Sequence, residues 1–184
     1  MDDSKPFLPS IGVAAVHPEV TNIGQVALMK LPPGFVIGNS NRPGDGSFFF
    51  QEYHLEADPE VKVYFEYRGK RMSKEASEMF YNVLAASPHS LTQAELEGLK
   101  QLLQKRSDPA AFRTMVAKTQ DIRGKRVMVV EGLFLNHGLQ ARTLYVDSDG
   151  TGSAVQEITF QAPSTRFANN MLQGIKSLES IIWK

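Results

Sequence analysis

The chain has 184 residues, 42% hydrophobic and 22% charged, with no cysteine. This length suits one domain with a continuous core, and the absence of thiols excludes disulfides, thiolate metal centres and cysteine nucleophiles. Twenty basic and twenty acidic residues give zero net charge, so no whole-molecule field draws the chain to nucleic acid, which is not an expected partner. The charge is uneven, because residues 60–126 carry 13 Lys and Arg against 8 acids.

Residues 1–22 mix Pro, Ser and Gly without a sustained period and read as an extended N-terminal segment, leaving 23–184 as a single α+β domain. Within the N-terminal segment "FLPSIGVAAVHP" follows two aspartates and holds two prolines. It matches neither a signal peptide nor a membrane span, and a cytoplasmic location is therefore favoured. "GQVALMKL" predicts a short strand with Val26 and Leu28 on one face. After the break at Pro32–Gly34, "FVIG" resumes the strand pattern and "NSNRPGDG" reads as an exposed loop. In "SFFFQEYHLE", Phe48, Phe50 and His54 fall on one face and Phe49, Tyr53 and Leu55 on the other. "VKVYFEYR" sets Val61, Val63, Phe65 and Tyr67 opposite Lys62, Tyr64, Glu66 and Arg68, the pattern of a half-buried antiparallel strand. The short "ADP" between these runs favours a hairpin or meander.

The period then changes to 3.6. Met72, Ala76, Met79, Phe80, Val83 and Leu84 form one helical stripe behind Ser73 as N-cap. Thr92 and Glu95 have capping-box spacing, Leu91 and Leu96 suit a hydrophobic staple, and Leu99, Leu102 and Leu103 continue a second stripe. "SDPAAF" reads as a further helix start, with Asp108 as cap and Pro109 at the first helical position. From Met115 the period returns to two. "RVMVVEGLFL" is apolar on both faces, as a covered central strand would be, and "LQARTLYV" and "SAVQEITFQ" follow. Phe167, Met171, Leu172, Ile175 and Leu178 make a terminal helical stripe behind Pro163 and Ser164, and "SIIWK" closes the chain. Strands, helices, strands and a helix in that order predict α+β structure with one largely antiparallel sheet.

"DSDGTG", Asp147 to Gly152, resembles the first half of a calcium loop. Counting from Asp147, however, the twelfth position is Ile158 where a bidentate glutamate belongs, and the flanking segments alternate with period two. A strand–turn–strand reading accounts for every residue without a metal, with calcium as the alternative. "RGKR" occurs at Arg68–Arg71 and again at Arg123–Arg126. Each copy reads as a solvated turn, and the alternative is one shared basic patch. His17, His54, His89 and His137 lack the spacings that put two imidazoles on one metal. His54 shares a face with Glu52 and Glu56, as ordinary strand neighbours do, and His137 in "NHG" suits a hairpin turn. The run Phe48 to Phe50 reads as packing on both sheet faces, with an apolar ligand pocket as the alternative. Nucleophile elbows, phosphate loops and dinucleotide fingerprints do not occur. No catalytic residue, metal ligand or cofactor is therefore expected.

"GKRVMVVEG", "ARTLYVDSDGTGSAVQEITFQAPSTRF" and "IKSLESIIW" resemble the C-terminal half of PsbP-like domains, a likeness confined to the C-terminal third. The resemblance implies an α/β/α sandwich around an antiparallel sheet. It also implies a non-catalytic accessory, chaperone-like or assembly role through binding another protein, as in extrinsic subunits of photosystem II. The chain departs from that pattern in lacking a recognisable export leader and in its helix pair from Ser73 to Lys105, and no functional residues carry over. The expected function is a protein-binding accessory module. The alternative is a small-molecule binder or hydrolase with a cleft between the sheet and the 73–105 helices.

Overall fold

The computed structural model describes residues 16–41, 48–70, 72–103 and 111–184. It opens on a hairpin of β1 (Glu19–Ile23) and β2 (Val26–Lys30), turning at Gly24 and Gln25. Asn22 has a φ of 56°, a left-handed kink that asparagine tolerates. The kink shifts the alternation, so that Val20 and Ile23, three apart, both point into the core. On β2 the deeply buried pair is Val26 and Met29, which corrects the expected pairing of Val26 with Leu28. The domain boundary expected at residue 23 falls at the end of β1.

The main sheet begins with β3 (Phe35–Asn41), β4 (Phe49–Leu55) and β5 (Asp58–Lys70), an antiparallel meander. β3 runs on through Asn39, Ser40 and Asn41, where a loop was expected; the rest of that loop lies outside the described residues. The 56–57 turn is the expected hairpin. Val61, Val63 and Phe65 are fully buried on one face of β5, as their alternation predicts. The first Arg-Gly-Lys-Arg copy lies in strand as far as Lys70, with a bulge between Tyr67 and Lys70 in place of the expected turn.

The chain then crosses one face of the sheet as α1 (Lys74–Ala85), α2 (Gln93–Gly98) and α3 (Lys100–Leu103). Ser73 caps α1 by accepting the Ala76 amide at 3.2 Å. The capping box forms on α2: Glu95 Oε2 accepts from Thr92 N at 2.7 Å, and Thr92 Oγ1 accepts from Glu95 N at 3.3 Å. The expected single second helix is interrupted at Leu99, where ψ reaches 5°. The break lets Leu99, Leu102 and Leu103 all reach the core. The proposed helix start at Asp108 and Pro109 lies outside the described residues, and the chain is already strand at Phe112.

Four strands complete the main sheet: β6 (Phe112–Ile122), β7 (Lys125–Phe134), β8 (Leu139–Asp147) and β9 (Ala154–Pro163). The spatial order is β3-β4-β5-β9-β8-β7-β6, all antiparallel. Val127 to Val130 are buried on both faces of β7, because α1–α3 cover one side and the β1–β2 hairpin and a C-terminal helix cover the other. α4 (Ser164–Glu179) packs on that second side, with Phe167, Gly174 and Leu178 facing inward. Gly174 is required there, since a Cβ would sit 2.6 Å from the Phe160 ring. Leu172, expected in the buried stripe, is 62% exposed.

The chain closes with β10 (Ile182–Trp183), which pairs with β2 and makes a second, three-stranded sheet in the order β1-β2-β10. The single β layer expected from the sequence is thus corrected to two. Two apolar clusters result. The larger joins the small sheet and α4 to one face, through residues such as Met29, Phe65, Ile158 and Phe167. The smaller joins α1–α3 to the other, through Phe80, Leu102, Met128 and Tyr145. Each Phe, Met or Leu so buried contributes roughly 1.5–3 kcal/mol. The architecture is α+β, an antiparallel sheet flanked by helices.

Candidate functional site

Asp147 to Gly152 turns between two strands, β8 and β9. Asp147 Oδ1 accepts the amides of Asp149 at 3.2 Å and Gly150 at 3.1 Å, and its Oδ2 accepts that of Gly152 at 3.0 Å. Asp149 Oδ1 in turn accepts the amide and hydroxyl of Thr151, at 3.0 and 2.8 Å. The oxygens that a calcium loop would offer an ion are thus turned onto the loop's own donors. Burial raises the Asp147 carboxyl above its usual range, against the pull of the Gly152 and Asp149 amides. Burial also raises Asp149, but the Thr151 hydroxyl and amide outweigh it and hold that carboxyl low.

The second Arg-Gly-Lys-Arg copy is tied to its own chain. Arg123 Nε donates to the Glu179 carbonyl at 3.0 Å, fastening the end of α4. Lys125 Nζ donates to Gln25 Oε1 at 2.9 Å and lies 5.5 Å from the Trp183 ring centroid; burial lowers its pKa. Arg126 pairs with Asp121 at 2.6 Å and donates to the Ala86 carbonyl just past the end of α1. These groups close helix ends and a turn. The first copy reaches the same end of the sheet, where Lys70 stands opposite Ala154 in register. Three strand spacings of about 4.8 Å separate it from the second, roughly 14 Å, with the Asp147 turn between them.

The histidines lie apart. His54 Nδ1 is 3.7 Å from Glu52, whose other oxygen accepts from Lys62 Nζ at 3.1 Å; an ammonium occupies that carboxylate, and Glu56 lies in the neighbouring turn. His89 Nδ1 donates to the Ser87 carbonyl at 2.7 Å and Nε2 to Glu95 at 3.0 Å. Acceptors stand at both nitrogens, and the pKa is raised, by the Ser87 carbonyl first and Glu95 second. His137 occupies the turn between β7 and β8, as expected. Phe49 stacks on Tyr67 and Phe50 lies against Tyr64, at 5.7 and 5.8 Å, which is packing along the sheet. Between the helices and the sheet, where the alternative function needs a cleft, Phe80, Val83, Leu99, Leu102, Met128, Val130, Tyr145 and Val155 pack into one apolar cluster. An opening on that side, about 480 Å³, lies between α1 and the Asp147 turn and is lined by Glu78, Tyr81, Asn82, Gly150 and Thr151.

A different opening lies on the other side of the molecule. A cleft of about 430 Å³ separates β2 and the following prolines from the C-terminal half of α4. Its floor includes Leu31 and Pro32, both buried, and His17, Lys30 and Lys176 stand at its exposed rim. Ser180 Oγ accepts the Lys30 amide at 2.9 Å and donates to the Ser177 carbonyl at 2.7 Å, locking helix to strand. His17 Nδ1 donates to the Leu31 carbonyl at 3.1 Å. Sequence reading noted His17 only as an isolated histidine and missed the rest. The one available signal was α4 itself, where Phe167, Met171, Gly174 and Leu178 complete a stripe without Leu172.

Among solved structures, the solution structure of cyanobacterial PsbP (CyanoP) from Synechocystis sp. PCC 6803 superposes with a TM-score of 0.60. Identity is 9%, over 97% of this chain and 98% of that one. The fold is PsbP-like. The likeness runs the length of the chain, which corrects its expected confinement to the C-terminal third, and the helices from residue 73 lie within it. No protein-family model matches the sequence, and no curated protein does. Among the described residues no helix is long and apolar enough to cross a membrane.

Proposed function

We propose that this protein is a non-catalytic accessory module that works by binding another protein. The observation that carries this reading is the correspondence with a PsbP structure across nearly the whole of both chains, since PsbP-like proteins act mainly as accessory and assembly factors. The use made of the polar side chains supports it. Asp147, Asp149, His89, Arg123 and Arg126 hold turns, caps and helix ends, while the β2–α4 cleft keeps charged groups uncommitted. The test is recovery of the tagged chain, cross-linked, from its own source. The expected result is a defined co-purifying protein and migration above the 20.4 kDa of the chain alone. Migration at that mass without a partner, together with turnover of ester, phosphate or glycoside substrates, would overturn it.

A further inference from the structure

Resting on that accessory reading, we propose that the cleft between β2 and α4 docks an acidic, leucine-bearing peptide segment of the partner. Several cations are matched by acids of the same chain: Lys62 by Glu52, Arg126 by Asp121, Arg142 by Glu131, and Arg166 by Asp58 and Glu60. Lys30 and Lys176 are not, since among the described residues neither ammonium has an ion pair. Glu19 stands opposite Lys30 in the hairpin register, and Glu179 lies one turn beyond Lys176 on α4; neither bonds to the lysine near it. The lining therefore carries His17, Lys30 and Lys176 and no acid.

Between the lysines the lining is apolar at half-buried Pro33, with Leu31 and Pro32 buried behind it, so a small anion alone would leave that surface unused. Leu172, 62% exposed, lies one turn before Lys176 on α4, and Val16, 81% exposed, directly precedes His17. Scattered exposed apolar residues are ordinary, but these two adjoin in sequence the lining of a concave site of side-chain dimensions. β2 already pairs on both sides, with β1 and β10. The guest therefore cannot add as a strand and must bind through its side chains, apolar ones on the floor and carboxylates on the lysines.

A short labelled peptide alternating glutamate and leucine, titrated by fluorescence anisotropy against the full chain, tests this. It should bind at low salt, weaken as salt rises, and shift the amide resonances of Leu31, Gln173, Lys176 and Ser180. The double variant Lys30→Glu with Lys176→Glu, altering two exposed residues, should keep its melting temperature and lose about tenfold in affinity or more. Leu172→Ser should weaken binding with the charges intact. Unchanged affinity in the double variant, or resonance shifts elsewhere, would overturn the assignment. So would equal binding of inorganic phosphate or of a glutamate peptide without leucine. Binding gained only on deleting residues 1–15 would give the cleft to the chain's own N-terminal segment and also overturn it. If the double variant recovers the partner from source as well as the native chain does, the docking site falls while the accessory function stands. If the native chain recovers none, both fall.

Discussion

At Gly150 and Gly152 the backbone adopts nearly the same left-handed conformation, with φ of 73° and 74°. A Cβ on Gly150 would meet open space, whereas one on Gly152 would overlap the Ser77 carbonyl oxygen and touch Tyr81 on α1. Gly150→Ala should therefore cost only the conformational term, about 1–2 kcal/mol. Gly152→Ala should cost roughly 1–3 kcal/mol more, because backbone cannot yield as a flexible side chain can. Chemical denaturation of the two variants separates these contributions. Calcium at millimolar concentration should leave the melting temperature unchanged, because the Asp147 oxygens already hold three amides; a rise would mean that the folded state binds the ion. At this scale the legible features were those whose chemistry is local, such as the Ser73 cap and the Thr92–Glu95 box. Gln25 and Gln156 gave no signal. Gln156, fully buried, accepts from the Gln25 amide at 2.6 Å and donates to the Ile23 carbonyl at 3.2 Å, partners more than a hundred positions away. A glutamine that fastens one sheet to another reads in sequence like any polar residue in a strand.

Among the elements, the 86–92 segment joins α1 to α2 and is pinned to the edge strand β6. The His89 carbonyl accepts the Thr119 amide at 2.8 Å, and the Leu91 amide donates to the Ala117 carbonyl at 2.9 Å. His89 in this segment and Glu95 in the first turn of α2 are shifted in opposite directions. The His89 pKa is raised in the folded chain, so the stability it adds is complete below the unfolded histidine value and is lost as pH rises through the folded one. The Glu95 pKa is lowered, chiefly by the Thr92 amide, so its contribution is present above the unfolded carboxyl value and is lost as pH falls through the folded one. Amide exchange of α2 should be slowest between those limits, and His89→Ala should abolish the loss on the neutral side alone. Arg126→Met, removing the donor to Ala86 and the partner of Asp121, should destabilise by about 1–2 kcal/mol and fray the last turn of α1. Helices and long strands were legible because each carries its own period. The break at Leu99 was not, because packing Gly98 beside Met79 and seating three leucines on one sheet outweigh the preference for a continuous helix.

Across the whole molecule, the order of strands and helices was enough to read an antiparallel sheet with helical cover, since segment length and alternation carry that information. The second sheet was not legible, because β10 is two residues long and its partner lies near the other end of the chain. Trp183, the single tryptophan, donates from Nε1 to the Ile122 carbonyl at 2.7 Å, which makes it a reporter of the junction between the sheets. If residues 23–184 form one cooperative unit, tryptophan fluorescence and far-ultraviolet circular dichroism should trace the same unfolding curve; two separated transitions would divide the domain. Ile181→Ala, emptying a fully buried site beside it, should lower both together by about 2–5 kcal/mol. The closure of β2 against β10, with the Lys30 amide bonded to a hydroxyl 150 residues away, bears on how the protein is made. During synthesis that edge of β2 stays unpaired until the α4–β10 segment has followed it out of the exit tunnel, some 150 residues later.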